Sequence, residues 1–254
     1  MMKNYIKNVV RNLGYELIHT HNLKKLQTKT FPYHLKSLFQ TIDIQCVLDV
    51  GANTGGYRNF LREDVGYQGL ILSFEPIAKH VEILKQLAEK DSKWFIYGFA
   101  LGNEDSDKQM NSMKRGNFSS FLEPDQTIIP ISNNVVEEKE MVAIKKLDSI
   151  IDILKEEHLI NNIYLKMDTQ GYDLEVVKGA ENTLPQVLAL QTEMSLKNIY
   201  QNMPSFMESY EVLSQKGYEI TGMFPIFRDS LLRIAEFDCV MINGTLEVKE
   251  QNQH

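Results

Sequence analysis

Residues 46–57 read CVLDVGANTGGY, a short apolar strand that runs at once into a glycine-rich loop and then into a helix. The loop has the pattern D-x-G-x-N-x-G, and Asp49 is its first residue. Its glycines permit a tight turn and let backbone amides approach a ligand without an obstructing Cβ. The amides at the start of the following helix favour an anionic group. This stretch therefore predicts a small-molecule site at the carboxyl end of a buried strand.

Strands and helices alternate outward from this stretch. Further buried strands are expected at GLILSFEP (69–76), WFIYGFAL (94–101), NIYLKMD (162–168) and VLALQTEM (187–194). Such alternation is typical of a parallel sheet covered by helices on both faces. Ligands bind these sheets outside the carboxyl ends of the strands. The sequence therefore predicts a Rossmann-like α/β domain with its site along that edge.

Acidic residues at the strand ends indicate the type of cofactor. A dinucleotide site presents glycine or apolar residues where Asp49 stands, because a carboxylate would repel the pyrophosphate. A cofactor with an ammonium and a sulfonium group gains from a nearby negative charge, so S-adenosylmethionine fits better than NAD. Glu75 ends the second strand, where an acid can accept hydrogen bonds from both ribose hydroxyls. The structural alternatives are that Asp49 only caps its own loop and that Glu75 only caps the next helix.

The third strand end, at Ala100 and Leu101, could line the adenine slot or form a plain turn. Asp168 ends the strand at 162–168 and lies where the transferred methyl group would be, so it could hold the cofactor ammonium, orient the acceptor or act as a base. The predicted cofactor-binding residues are Asp49, Gly51, Asn53, Gly55, Glu75, Ala100, Leu101 and Asp168.

The predicted catalytic residues are Asp168 and, second, Glu193, which ends an otherwise apolar strand. A carboxylate in that place is either at the half-exposed rim of the sheet or functional. His80 is a weaker third candidate. The predicted site contains no metal; Mg²⁺ would be held there only if Asp168 and Glu193 converge, because clusters of oxygen ligands suit that ion.

Composition and charge narrow the class of protein. The 254 residues are 43% hydrophobic and 24% charged, as in a soluble domain, and two cysteines in apolar runs fit a reducing cytoplasm. No stretch approaches the ~20 apolar residues of a membrane span. A net charge of −7 argues against a nucleic-acid partner.

Residues 1–30 form a distinct basic arm with six lysine or arginine residues against one acid, so its charge is +5 and that of the remainder is −12. Its apolar residues follow helical spacing. Such an amphipathic helix could lie on an anionic membrane surface or bind another subunit; packing on its own domain is the plainer alternative. The expected organisation is this arm, a catalytic domain at 31–244 with a polar lid insertion at 104–140, and a polar tail at 245–254.

The sequence resembles the FkbM family of S-adenosylmethionine-dependent methyltransferases over roughly residues 44–243. The motifs that carry the resemblance are VLDVGANTGGY (47–57), SFEP (73–76), ALGN (100–103), NFSSF (117–121), KKLDSI (145–150), LKMDTQGYDLEVVKGAE (165–181) and LQTEMS (190–195). The resemblance implies a seven-stranded, mostly parallel sheet with an antiparallel last strand. It also implies methyl transfer, usually to a hydroxyl of a sugar, glycan or other natural product.

The resemblance further implies that Phe118, Ser119 and Ser120 in the lid contact the cofactor or the acceptor. Members often carry glutamate where this chain has Gln170 and Asp173, so a carboxylate role at position 170 is excluded here.

Two rival functions share parts of the pattern. They are an NAD-dependent oxidoreductase, which Asp49 and Asn53 argue against, and a non-catalytic scaffold with a cofactor fold, which a turnover assay would distinguish.

Overall fold

The computed structural model describes Val10 and residues 30–113, 119–123, 136–197 and 200–246. Nearly all of the predicted arm and most of the predicted tail lie outside these residues, as does Phe118 of the predicted lid. The boundaries predicted for the arm, lid and tail therefore stay predictions. Within the described part of the chain, none of the helices combines the length and apolar character needed to span a bilayer.

Ten strands and six α-helices make up the described fold. The strands are β1 (Cys46–Val50), β2 (Leu70–Phe74), β3 (Trp94–Tyr97), β4 (Ala100–Leu101), β5 (Ser106–Met113), β6 (Val136–Lys145), β7 (Ile163–Met167), β8 (Val187–Ser195), β9 (Tyr218–Arg228) and β10 (Ile234–Asn243). The helices are α1 (Phe31–Thr41), α2 (Gly56–Phe60), α3 (Ala78–Ala88), α4 (Leu147–His158), α5 (Asp173–Lys178) and α6 (Phe206–Gln215).

Seven of these strands form one sheet in the order β3-β2-β1-β7-β8-β10-β9. The pairs from β3 through β8 are parallel, whereas β10 runs antiparallel to both β8 and β9. The predicted seven-stranded, mostly parallel fold with an antiparallel last strand is confirmed. Because the parallel strands share a direction, the carboxyl ends of β1, β2 and β7 lie side by side.

Both faces of the sheet are covered, which explains why its central strands are apolar along their whole length. Side chains alternate between the faces of a strand, so Leu48 packs in the core layer that includes α4 and α5, while Val47 packs in the layer that includes α1 and α3. By the same alternation Asp49 shares the face of Val47, and Lys166 shares the face of Tyr164. Two ionisable residues are thus carried into the same buried layer.

The structure divides the predicted third strand. β3 pairs with β2 as far as the Phe74–Tyr97 register, and the ladder ends with the bond from the Glu75 N–H to the Tyr97 carbonyl oxygen. The Ile77 N–H, the next one on that side of the strand, donates to the Glu75 carboxylate instead. The chain bends at Phe99 and continues as β4, which joins β5 and β6 in a separate three-stranded sheet. Within the predicted lid, β5 and β6 pair antiparallel, and residues 119–123 lie against β5 through the Asn111–Ser120 bridge.

Candidate functional site

The loop after β1 is pressed against the end of β7. Gly51 has a φ of +77°, and a Cβ on it would lie 2.1 Å from the carbonyl oxygen of Asp168. Asn53 and Gly55 also have positive φ, at 48° and 88°. The glycine at position 51 is therefore required by a close approach between two strand ends, and this approach places the loop beside Asp168.

Replacing Gly51 with alanine is expected to destabilise the fold far more than the same change at Gly66. Both glycines have a φ of +77°, but a Cβ on Gly66 would meet nothing within 4 Å. A left-handed alanine costs roughly 1–2 kcal/mol in both variants, and the clash with the Asp168 carbonyl adds roughly 1–3 kcal/mol at position 51 alone. Urea unfolding of both variants measures the difference. Equal losses would contradict the close approach.

Glu75 anchors the loop after β1. Its Oε2 accepts the backbone N–H of Asn53 at 2.7 Å, and its Oε1 accepts that of Ile77 at 3.0 Å. His80 Nδ1 lies 3.4 Å from Oε1 of Glu75. His80, the third catalytic candidate, therefore lies beside Glu75. Each carboxylate oxygen keeps a second lone pair, so the loop contacts are compatible with a ribose contact, which stays a prediction.

Asp49 forms a buried ion pair inside the protein. Its side chain is 0% exposed, and its Oδ1 lies 2.9 Å from Nζ of Lys166, which is 3% exposed. Ser73 Oγ donates to Asp49 Oδ2 at 2.9 Å, and Lys166 Nζ also donates to the carbonyl oxygen of Gly51 at 3.1 Å. Burial alone would lower the pKa of Lys166, but attraction to Asp49 and Asp168 outweighs it and raises that pKa.

This pairing changes which acid faces a ligand. Sequence reasoning places Asp49 opposite a cationic cofactor, whereas the structure neutralises its charge with Lys166. The Asp168 side chain is 44% exposed, and its Oδ2 lies 3.6 Å from the same Nζ. Direct contact between Asp49 and the cofactor stays a prediction. The accessible negative charge at these strand ends belongs to Asp168.

Asp168 and Glu193 are brought together by Gln170. The Nε2 of Gln170 donates to Asp168 Oδ1 at 3.0 Å and to Glu193 Oε2 at 2.8 Å. The pKa of Glu193 is raised well above its usual value, first by burial and then by repulsion from Asp168 and Glu236. This arrangement favours a protonated Glu193 beside an accessible Asp168.

Several polar residues around this pair were not singled out by sequence reasoning. Tyr200 donates through its hydroxyl to Oε1 of Gln170 at 3.0 Å. Asp238 on β10 faces Glu193 in the strand register, and burial raises the pKa of Asp238 to about 6 although it accepts a bond from Gln191. The sequence signal that could have identified Asp238 is the pair of acids, Glu236 and Asp238, at alternate positions of an otherwise apolar strand. Nothing in the loop around Tyr200 marked it.

Asp173 begins α5 and secures the loop after β7. Its carboxylate accepts the backbone N–H of Thr169 at 2.9 Å and the Thr192 hydroxyl at 2.6 Å. Ser120 secures the same loop from the lid side, since its Oγ donates to the Gln170 carbonyl oxygen at 2.8 Å. Ser119 is also buried there.

The structure brings Ser120 to the loop after β7, but it does not bring Ala100 and Leu101 to an open surface. Both are buried in β4, with backbone pairs to β6. Contact of either residue with the cofactor stays a prediction. Among residues 30–113, 119–123, 136–197 and 200–246, no group of three or more His, Cys, Asp or Glu side chains is arranged to hold a metal ion.

Solved structures similar to this chain include several methyltransferases. A methyltransferase FkbM from Methylobacillus flagellatus KT is 15% identical, with a TM-score of 0.48 over 79% of this chain and 44% of that one. A magnesium protoporphyrin IX methyltransferase from Synechocystis PCC 6803 with bound SAM is 9% identical, with a TM-score of 0.47 over 90% and 86%. A SAM-dependent methyltransferase from Aquifex aeolicus is 15% identical, with a TM-score of 0.40 over 89% and 100%.

The chain spans less than half the length of the Methylobacillus protein. A search of curated proteins found no match. The family model described as "Methyltransferase FkbM domain" matches residues 49–220, which run from β1 into β9 and include the loops after β1, β2 and β7. Because this match covers more than half of the 254 residues, the chain belongs to the FkbM methyltransferase family, whose methyl donor is S-adenosylmethionine.

Proposed function

We propose that this chain transfers a methyl group from S-adenosylmethionine to a hydroxyl of a sugar, a glycan or another natural product. The observation that carries the proposal is the convergence of Asp168 and Glu193 on Gln170, next to the glycine loop after β1. A hydroxyl is a weak acid and needs a positioned base, and the accessible Asp168 supplies one. The net charge of −7 fits an uncharged acceptor better than a nucleic acid.

The residues at the strand ends fit this cofactor by their chemistry. Glu75 retains lone pairs for two ribose hydroxyls, and the loop of Gly51, Asn53 and Gly55 runs next to it. Asp168 provides an exposed negative charge toward a ligand that carries positive charge. When bound, S-adenosylmethionine supplies an electrophilic methyl group on a sulfonium and leaves as S-adenosylhomocysteine.

The protein's part in the reaction is to position the acceptor and take its proton. The acceptor oxygen must lie in line with the S–CH₃ bond, within roughly 3–3.5 Å of the carbon. The bound cofactor would supply the methyl group, with the electron pair of the broken S–C bond staying on sulfur, and Asp168 would accept the proton that the acceptor hydroxyl loses. Burial raises the pKa of Glu193 well above its usual value, which favours its protonated form and leaves Asp168 as the proposed base.

Replacing Glu75 with alanine is expected to weaken S-adenosylhomocysteine binding by more than roughly tenfold, since hydrogen bonds to a charged group contribute about 1.5–3 kcal/mol. Loss of the Asn53 contact would loosen the loop as well. Calorimetric titration measures the affinity, with Glu82→Ala as the control because Glu82 is exposed on α3. Unchanged affinity in Glu75→Ala would reject the proposed contact between Glu75 and the ribose. Binding of NAD in place of S-adenosylhomocysteine would favour the oxidoreductase.

Turnover separates an enzyme from a scaffold. Purified protein is incubated with S-adenosylmethionine and a panel of monosaccharides, glycans and hydroxylated natural products, and mass spectrometry detects the addition of one methylene unit. Product formed at oxygen supports the proposal. Methylation of nitrogen or carbon acceptors only, or none with intact cofactor binding, would reject it.

We also propose that residues 1–30, with a charge of +5, bind an anionic membrane surface from the cytoplasm or a second copy of the chain. The arm's charge and helical spacing support this proposal. Vesicle co-sedimentation and sedimentation velocity, with and without residues 1–30, test it. Identical behaviour of the two forms in both measurements would reject it.

A further inference from the structure

Gln170 holds a backbone conformation that few residues other than glycine adopt. Its φ is +53°, and Gly171 follows with a φ of +90°. Hydrogen bonds from three directions hold it there. Ser120 Oγ donates to its backbone carbonyl oxygen at 2.8 Å, and the Tyr200 hydroxyl donates to Oε1 at 3.0 Å. Its Nε2 donates to Asp168 and to Glu193. The side chain is therefore fixed by the lid, by the loop at Tyr200 and by the strand ends.

The surroundings of the amide admit one orientation. Nε2 carries two hydrogens and faces two carboxylates, whereas Oε1 faces a hydroxyl that can donate. The reversed amide would set its carbonyl oxygen against the Asp168 carboxylate and would lose the bond that the Tyr200 hydroxyl donates to Oε1. The partial positive charge of the amide hydrogens therefore lies between the two acids.

We propose that Gln170 is a positioning residue whose NH₂ group occupies the place between Asp168 and Glu193 that a divalent cation would otherwise bridge, so that the pair works as a cation-free acid–base pair. This inference rests on the proposed function. Mg²⁺ binds oxygen ligands in near-octahedral geometry, and an amide NH₂ offers no oxygen to it. Lys166 Nζ, 3.6 Å from Asp168 Oδ2, adds a further positive charge on the other side.

Replacing Gln170 with glutamate would give a set of three carboxylates at positions 168, 170 and 193. Mn²⁺ binding is measured on the full chain by the loss of the free-ion EPR signal, with Mg²⁺ competition. We expect no saturable site in the wild type and binding at least roughly tenfold tighter in Gln170→Glu. The control is Gln109→Glu, which adds the same charge at an exposed position on β5 and should behave as the wild type.

Two results would overturn the proposal. One is saturable Mn²⁺ binding by the wild type that the Asp168→Asn substitution abolishes. The other is a Gln170→Glu variant that binds Mn²⁺ no more tightly than the wild type although its circular dichroism spectrum is unchanged. If Gln170→Glu does not fold, the wild-type titration still decides. A wild type that binds S-adenosylhomocysteine but methylates no hydroxyl would reject the proposed function and leave the cation result intact.

A second variant separates positioning from simple structural support. Gln170→Leu removes both donors to the carboxylates, so the acidic limb of the kcat–pH profile should move to higher pH while S-adenosylhomocysteine affinity is kept. Turnover of the wild type should be unchanged by EDTA. An unmoved pH profile in Gln170→Leu, or loss of wild-type turnover in EDTA that Mg²⁺ restores, would overturn the proposal.

Discussion

Replacing Asp168 with asparagine is expected to lower kcat for methyl transfer by roughly 10²–10⁴-fold, the usual contribution of a positioned general base. The asparagine amide oxygen can still accept the bond from Gln170, so the geometry of the pair is kept while its basicity is lost. Glu193 cannot replace the base, because burial favours its protonated form through a raised pKa. Initial rates with saturating S-adenosylmethionine measure the effect, and calorimetry with S-adenosylhomocysteine shows whether cofactor binding survives.

Asp152→Asn is the matched control, since Asp152 lies exposed on α4 away from the strand ends. It should leave kcat unchanged. If cofactor affinity falls in Asp168→Asn and kcat is the wild-type value once S-adenosylmethionine is saturating, Asp168 holds the cofactor and is not the base. Rates within about threefold of the wild type would exclude a general base here, because that role contributes at least about 10²-fold.

Replacing Lys166 with methionine is expected to reduce the free energy of unfolding by roughly 3–5 kcal/mol, the usual cost of breaking a buried ion pair on one side. Asp49, 0% exposed, would keep its charge in the core with only the Ser73 hydroxyl beside it. Lys166 also donates to the Gly51 carbonyl oxygen, so the loop after β1 would lose an anchor. Urea unfolding monitored by circular dichroism gives the difference.

Lys178→Met serves as the control, because Lys178 pairs with Glu175 at 2.6 Å on the surface and is 57% exposed. An exposed pair of this kind contributes at most about 1 kcal/mol. The double variant of Asp49→Leu with Lys166→Met should be more stable than Lys166→Met alone, because it removes the uncompensated charge. A double variant as unstable as the single one would mean that packing, not charge, accounts for the loss.

The fold could be predicted from the sequence because its signals are local. The alternation of apolar strands with amphipathic helices predicted the sheet, and the pattern from Asp49 to Gly55 marked the loop that folds against it. The third strand was predicted as one piece, since WFIYGFAL is apolar throughout. Its division into β3 and β4 depends on where the pairing of β3 with β2 stops and on the pairing of β4 with β6, and both are contacts between separate strands.

The candidate site could be predicted in its members but not in its pairings. The sequence indicated that acids stand at or near the carboxyl ends of β1, β2, β7 and β8, because each of them lies close to the end of an apolar run. Only the tertiary structure decided that Lys166 neutralises Asp49 and that Gln170 joins Asp168 to Glu193. The Lys166–Asp49 and Gln170–Glu193 contacts join segments that are adjacent in the sheet but distant along the chain. Strand register and side-chain direction, which set them, are outcomes of packing the whole sheet.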